Sequence, residues 1–237
     1  MKCLVIIPTY NEKGNIEKLI PEVLSKNDSI DILVVDDHSP DKTFEIVDTI
    51  SRENPRVNLI HRSGKLGLGS AYVAGFRFAI NEGYDYVVQM DADFSHNPND
   101  INRLLNESEL NDCVIGSRYI SGINVVNWSF IRLFISYMAS HYVRIITRLP
   151  VKDPTGGFKS INVNALKEIN LDTILSDGYS FQIELTYRMW LKKCRIKEIP
   201  IVFTERREGK SKLSKKIVRE AIFMVWKLKF LAILKKI

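Results

Sequence analysis

At 237 residues with 45% hydrophobic content, the chain suits one large domain with a sizeable core, and its net charge of +6 leans toward an anionic partner: a nucleotide, a membrane surface or a nucleic acid. Three cysteines, Cys3, Cys113 and Cys194, are too widely spaced for a disulfide framework or a zinc site and read as reduced core residues. No stretch reaches the ~18 uncharged apolar residues of a membrane span, and residues 3–7 are too short for a signal peptide, so neither is expected.

Strand and helix patterns alternate through the amino-terminal half. Residues 3–7 form an apolar strand stopped by Pro8, and Ile16, Leu19, Ile20, Val23 and Leu24 mark one face of a helix running to about Ser25. Residues 30–35 are a second strand, ending at Asp36 and Asp37. A helix from about Asp41 leads to a third strand at 57–61, and a helix over 69–81 leads to a fourth that begins at Tyr86. A fifth strand is expected at 113–115. Strands separated by helices of this length imply right-handed crossovers and a mainly parallel sheet covered on both faces. Ligands bind such sheets at the carboxyl ends of the strands, so Tyr10, Asp37 and Asp91 are expected in one crevice.

The carboxyl half is less regular. Residues 128–149 have a long helical pattern, 153–158 a turn, 180–193 a helix, 196–203 a strand, and 206–216 a basic, glycine-containing loop. Residues 217–237 form an amphipathic helix with Arg and Lys along its edges. Without repeats or a low-complexity linker, the expectation is one domain over 1–216, with halves 1–120 and 121–216, followed by the helix 217–237.

The string YVVQMDADFSHNP carries the first chemistry. An apolar strand breaks at Asp91, a second carboxylate follows at Asp93, and both face one side if the backbone stays extended with Ala92 turned away. Two hard oxygen donors that close repel unless a cation lies between them, which suits Mg²⁺ or Mn²⁺ bridging to a substrate's phosphates. Gly67, Leu68 and Gly69 start a helix near that site. Tyr72 stands where a dinucleotide fingerprint needs its third glycine, which excludes that reading, and Lys65 is a candidate phosphate contact. The basic residues are not interleaved with an aromatic platform, which argues against nucleic acid.

In order, IIPTYNEKGNI, VVDDHSPDKT, GKLGLGSAY, MDADFSHNP, GSRYISG, DPTGGFK and ERREGKSKLS resemble the dolichol-phosphate mannose synthases of glycosyltransferase family 2. The resemblance implies a GT-A fold, a Rossmann-like α/β sandwich, and inverting transfer of mannose from GDP-mannose to a polyprenyl or dolichyl phosphate. Transfer of glucose or another hexose from a UDP-sugar stays open. So does a non-catalytic sugar-nucleotide-binding protein. Carried over residue by residue, Pro8, Tyr10 and Glu12 contact the nucleotide, and Val35 and Asp37 flank guanine and ribose. Asp91 and Asp93 hold Mg²⁺ or Mn²⁺, with Ala92 against the sugar diphosphate; Ser95 stands where some relatives place a metal-contacting Gln. Arg118, Arg132 and Ser136 hold the lipid phosphate, Arg206 and Lys212 close over the diphosphate, and Asp153, Gln182 and Glu184 are candidates for orienting the sugar. The lipid acceptor implies a peripheral protein on the cytoplasmic face of a membrane and leaves room for a membrane-protein partner.

Overall fold

Apolar runs separated by amphipathic stretches fold here into alternating strands and helices. The computed structural model describes residues 1–205 and 215–237. Strands β1 (Cys3–Thr9), β2 (Ile30–Asp36), β3 (Val57–His61) and β4 (Tyr86–Gln89) lie parallel, connected by α1 (Lys13–Leu24), α2 (Thr43–Glu53) and α3 (Leu68–Asn81). After α4 (Ile101–Ser108) come β5 (Cys113–Ser117), β6 (Val125–Val126), α5 (Phe130–Thr147), β7 (Lys159–Asn162) and α6 (Val163–Lys167). The chain continues through α7 (Gly178–Leu191), β8 (Ile196–Pro200), β9 (Phe203–Thr204) and α8 (Lys215–Ile233). The seven-stranded sheet runs β3-β2-β1-β4-β7-β5-β8, with β7 antiparallel to both neighbours, while β6 and β9 pair separately.

Side chains alternate across each strand, and that period of two divides the core. Leu4, Ile6, Leu33 and Val35 face one layer with Phe76, Val87 and Phe181, whereas Val5, Ile7, Ile32 and Val34 face the other with Ile16, Leu19 and Leu104. Cys3 and Cys113 are buried free thiols whose pKa values burial pushes up, Cys113 to about 12. Of the three cysteines expected in the core these two are there, while Cys194 is only partly buried against it.

Three departures from the sequence reading have physical causes. β1 runs through Pro8 to Thr9 instead of stopping at Pro8. Its even-numbered residues bond toward β4, whose ladder with β1 ends at Ile6 and Gln89, so the N–H that proline lacks is not needed there. The single strand expected over 196–203 is two, because Pro200 closes β8 and the chain crosses to pair Phe203 with Val125. Finally, β7 wedges between β4 and β5. Lys159 and Ser160 are buried in it, so it carries no apolar run to announce it.

The carboxyl-terminal helix packs onto the domain with one face and leaves the other to solvent. Val225 and Leu228 are buried with Val143 of α5 and Phe181 of α7, whereas Phe223, Trp226 and Phe230 are exposed. Phe130, Ile131 and Phe134 are likewise exposed on α5. Among the described residues, no helix is long and apolar enough to cross a membrane.

Candidate active site

The carboxyl ends of β1 and β2 are locked together by carboxylates. Asp36 is fully buried and accepts from Thr9 Oγ1 at 2.8 Å, Ser39 N–H at 2.9 Å and Ser39 Oγ at 2.5 Å, so it shapes the turn and is not open to a ligand. Asp37 pairs with Arg62 at 3.0 Å and accepts from Gly67 N–H at 2.9 Å. Burial still holds its carboxyl above the usual range, outweighing the Gly67 N–H and the Arg62 charge. Glu12 closes the first turn, its N–H donating to Thr43 Oγ1, and Lys65 Nζ lies 3.9 Å from the centre of the Tyr10 ring. Val35 is a correction: the whole residue is buried, its side chain in the core and its main chain within the sheet between β1 and β3, so it offers no surface to a nucleotide.

The start of α3 is also occupied by protein. Gly69 N–H donates to Asp177 Oδ1 at 2.6 Å while Gly67 serves Asp37, so these donors bind carboxylates from within the fold rather than a donor phosphate. Gly67 has φ +98°, and a Cβ there would fall 1.9 Å from Asp177 Oδ2. Only glycine fits that approach.

At the end of β4 the chain does not remain extended. Ala92 and Asp93 form a turn, Phe94 takes φ 61°, and Asp93 Oδ1 accepts Ser95 N–H at 3.1 Å. Asp91 and Asp93 nevertheless line one cleft, brought together by a tight turn instead of by strand alternation, with Ala92 buried between them. Two carboxylates cannot complete a divalent shell, and among the described residues no cluster of three or more His, Cys, Asp or Glu could hold a metal. The pair suits a hard cation that takes its remaining ligands from phosphate oxygens and water.

His96 was not singled out in the sequence, yet it fixes this turn. Its Nδ1 accepts Asp91 N–H at 3.0 Å, which puts the hydrogen of the neutral ring on Nε2, 3.9 Å from Asp91 Oδ2. The ring stacks on Phe158 at 4.8 Å and meets the edge of Phe203 at 5.5 Å. Burial lowers its pKa, outweighing the nearby Asp91 and Asp93. The only signal in the sequence is a titratable ring three positions past the acid pair. His96→Phe keeps the stacking and removes the acceptor, and is expected to weaken Mn²⁺ affinity or turnover by about 10–100-fold, read by metal titration in the presence of nucleotide.

Opposite the acids, Arg118 leaves β5 into a buried network. Its Nε and Nη2 meet the Asp153 carboxylate at 2.7 and 2.6 Å, and Nη2 also reaches Thr155 Oγ1 at 2.7 Å. Burial alone would raise the Asp153 carboxyl, but the charge and hydrogen bonds of Arg118 overcome this and hold it below the usual range. Asp153 therefore orients Arg118 rather than a sugar. Glu184 is a second correction: fully buried, it pairs with Arg188 at 2.6 Å and accepts the N–H groups of Leu175 and Ser176, a structural role. Gln182 does line the cleft, and its Oε1 accepts from Lys159 Nζ at 2.6 Å. Lys159 is buried, which lowers its pKa to about 8.

Helix α5 supplies the rest. Arg132 stacks over Trp128 at 4.2 Å and pairs with Glu205 at 2.6 Å; one turn on, Ser136 Oγ accepts from Tyr119 OH at 2.8 Å. Asp91, Asp93, Arg118, Arg132, Ser136 and Gln182 all border one cleft of about 470 Å³. Its remaining wall is largely apolar, with Phe134, Met138 and Val143 on α5 and Ile222 and Val225 on α8. Pro8, Tyr10, Glu12 and Asp37 are not part of that wall; they sit on neighbouring strand ends. Arg206 and Lys212 lie outside the described residues.

Comparison with known proteins identifies the family. The model of the glycosyl transferase family 2 matches residues 4–170. An undecaprenyl-phosphate mannosyltransferase of Micrococcus luteus is 44% identical over 95% of this chain and 93% of its own. A polyprenol monophosphomannose synthase of Mycolicibacterium smegmatis is 42% identical, over 94% of this chain and 85% of its own. A dolichol-phosphate mannosyltransferase of Pyrococcus furiosus is 36% identical, over 96% of this chain and 64% of its own. Among solved structures, glucosyl-3-phosphoglycerate synthase of Mycobacterium tuberculosis, in complex with Mn²⁺, uridine-diphosphate-glucose and phosphoglyceric acid, superposes with a TM-score of 0.70. At 17% identity, covering 97% of this chain and 80% of that one, it speaks to the fold alone. Parallel strands that present an acid pair at their carboxyl ends, the ordered motifs and these relatives agree: the chain belongs to glycosyl transferase family 2.

Proposed function

We propose that this chain transfers mannose from GDP-mannose to the phosphate of a polyprenyl lipid, with inversion at the anomeric carbon. The observation that carries the reading is the shape of the cleft. Its polar residues, Asp91, Asp93, Arg118, Arg132 and Ser136, stand against an apolar wall from α5 and α8, which suits a ligand with an anionic head and a long hydrocarbon tail. The names of the Micrococcus and Mycolicibacterium relatives support the same acceptor and sugar.

The chemistry follows from charge. A phosphomonoester has a second pKa near ~6, so at pH 7 most of the acceptor is dianionic and needs no general base. One of its oxygens forms the new bond to the anomeric carbon while the bond to the nucleoside diphosphate breaks on the opposite face. Arg118 and Arg132 draw the acceptor phosphate in against the repulsion of the donor's charge. Asp91 and Asp93 would hold Mg²⁺ or Mn²⁺, which supplies charge neutralisation for the departing diphosphate. Arg206 and Lys212 are proposed to assist the same leaving group, on the strength of the motif they share with the family. Pro8, Tyr10, Glu12 and Asp37 are proposed to receive the nucleoside.

The test is product identity. Purified protein is incubated with a short polyprenyl phosphate and a panel of GDP-mannose, UDP-glucose and UDP-galactose, and the lipid product is weighed by mass spectrometry. A polyprenyl-phosphate hexose from GDP-mannose alone is the expected result, and a product only from a UDP-sugar overturns the donor assignment.

The exposed aromatic residues on α5 and α8 support a membrane-surface location, since they stand on the two helices that wall the cleft for the lipid tail, and Phe134 borders the cleft itself. Val225 and Leu228 are core residues, so removing α8 would unfold its neighbours as well as detach the protein. Changing only the outer face avoids that. Phe223→Ser, Trp226→Ser and Phe230→Ser together are expected to weaken cosedimentation with anionic vesicles by about 10-fold or more with Tm little changed. Undiminished vesicle binding would place these residues elsewhere in the protein's function.

A further inference from the structure

Two arginines flank Trp128 at the cleft, and each already holds a carboxylate. Arg118 has its guanidinium 5.6 Å from the Trp128 ring and Arg132 4.2 Å from it. The two pairs differ in kind. Asp153 is 0% exposed, meets Arg118 through two of its nitrogens and the main chain, and has its own N–H tied to Glu198 at 2.8 Å. That pair is built in. The Glu205 side chain is 37% exposed and meets Arg132 through one nitrogen at 2.6 Å. It stands just past the two-residue β9, anchored by its N–H to Val126 at 3.1 Å. The indole Nε1 of Trp128 is buried without a hydrogen-bond partner among the described residues, so a donor beside Arg132 remains unmatched.

We infer that Glu205 is a resident counter-ion that the acceptor's phosphate displaces from Arg132, making Glu205 a positioning residue that sets acceptor affinity. This rests on the proposal that Arg132 receives the acceptor phosphate. A guanidinium that is mostly buried beside an aromatic ring is costly to leave uncompensated. Glu205 supplies the compensation in the acceptor-free protein and keeps Arg132 over Trp128, oriented toward the cleft. A phosphomonoester dianion carries more charge and more acceptor oxygens than a carboxylate, so it wins the exchange. The exchange weakens acceptor binding by the strength of the Arg132–Glu205 pair, which favours release of the lipid after transfer.

The experiment is a double-mutant cycle on the full chain, with short-chain polyprenyl phosphate varied at saturating GDP-mannose and its binding also measured directly by calorimetry. Glu205→Gln is expected to lower the acceptor KM and Kd by about 3- to 10-fold, while the donor KM holds. Glu205→Asp, with a carboxylate too short to reach Arg132, is expected to act in the same direction. Arg132→Ala is expected to raise the acceptor KM, and in that background Glu205→Gln is expected to change nothing further. If Arg132→Ala raises the acceptor KM but Glu205→Gln leaves it equal or higher, the counter-ion inference is overturned and the acceptor reading survives. If Arg132→Ala leaves acceptor KM and Kd at their original values, the placement of the phosphate at Arg132 fails and the inference fails with it.

Discussion

Asp91→Asn with Asp93→Asn is expected to lower transfer by about 10³-fold or more, while the protein stays folded. The amide keeps the volume of each side chain, and the one at position 93 retains an oxygen that can accept Ser95 N–H, so the turn survives. What is lost is charge. With His96 holding the Asp91 main chain and no cluster of three or more His, Cys, Asp or Glu able to hold a metal among the described residues, a divalent ion here depends on these two carboxylates and on the substrate's phosphates. Two readouts separate this from misfolding: Mn²⁺ affinity in the presence of GDP should collapse, and Tm should shift little. Excess EDTA should abolish turnover of the unmodified protein, and undiminished turnover under chelation would sink the assignment of the pair.

Asp153→Ala is expected to cost about 3–5 kcal/mol of stability, because it leaves the nearly buried Arg118 guanidinium with its largest counter-charge removed. Asp153→Asn should cost less, since an amide oxygen still accepts a hydrogen bond. Urea unfolding at pH 7 measures both. The pH dependence has a definite sign: a carboxyl held below its usual range in the folded state stabilises above its unfolded value, ~3.9, and that contribution is lost as pH falls through the lower folded value. The gap between the original protein and Asp153→Ala should therefore be full at pH 7 and close progressively on acidification below about pH 4. A gap that does not vary with pH would mean the pair contributes packing and little charge.

Much of this architecture was legible in the chain because its causes are local. The strands expected at 30–35 and 57–61 form, and helical faces such as Ile16, Leu19 and Ile20 reach the core as expected. Asp91 and Asp93 were legible as an acid pair, because an apolar strand breaks at Asp91 and a second carboxylate follows two residues on. Their geometry was not, because alternation suggested an extended segment where a turn held by His96 was required. The residues that were misplaced share one cause. Asp153 and Glu184 are fully buried acids whose partners, Arg118 and Arg188, cannot be told from solvent-facing arginines by composition, and Val35 reads equally as strand interior or strand mouth. Long-range pairing decides all three, and a single sequence does not display it.

The placement of β7 has a consequence for how the protein is made. The strand that ends in the acid pair, residues 86–89, hydrogen-bonds on its far side to residues 159–162, and β5 in turn waits for residues 196–200. As the chain leaves the ribosome, β4 is a bare edge through the whole of α4, β5 and α5, with an apolar helix already synthesised beside it. Pairings of such high sequence separation close slowly, so β4 stays uncovered along that edge until β7 has been made. Synthesis rate and chaperone supply during that interval should therefore govern yield more than the stability of the finished fold.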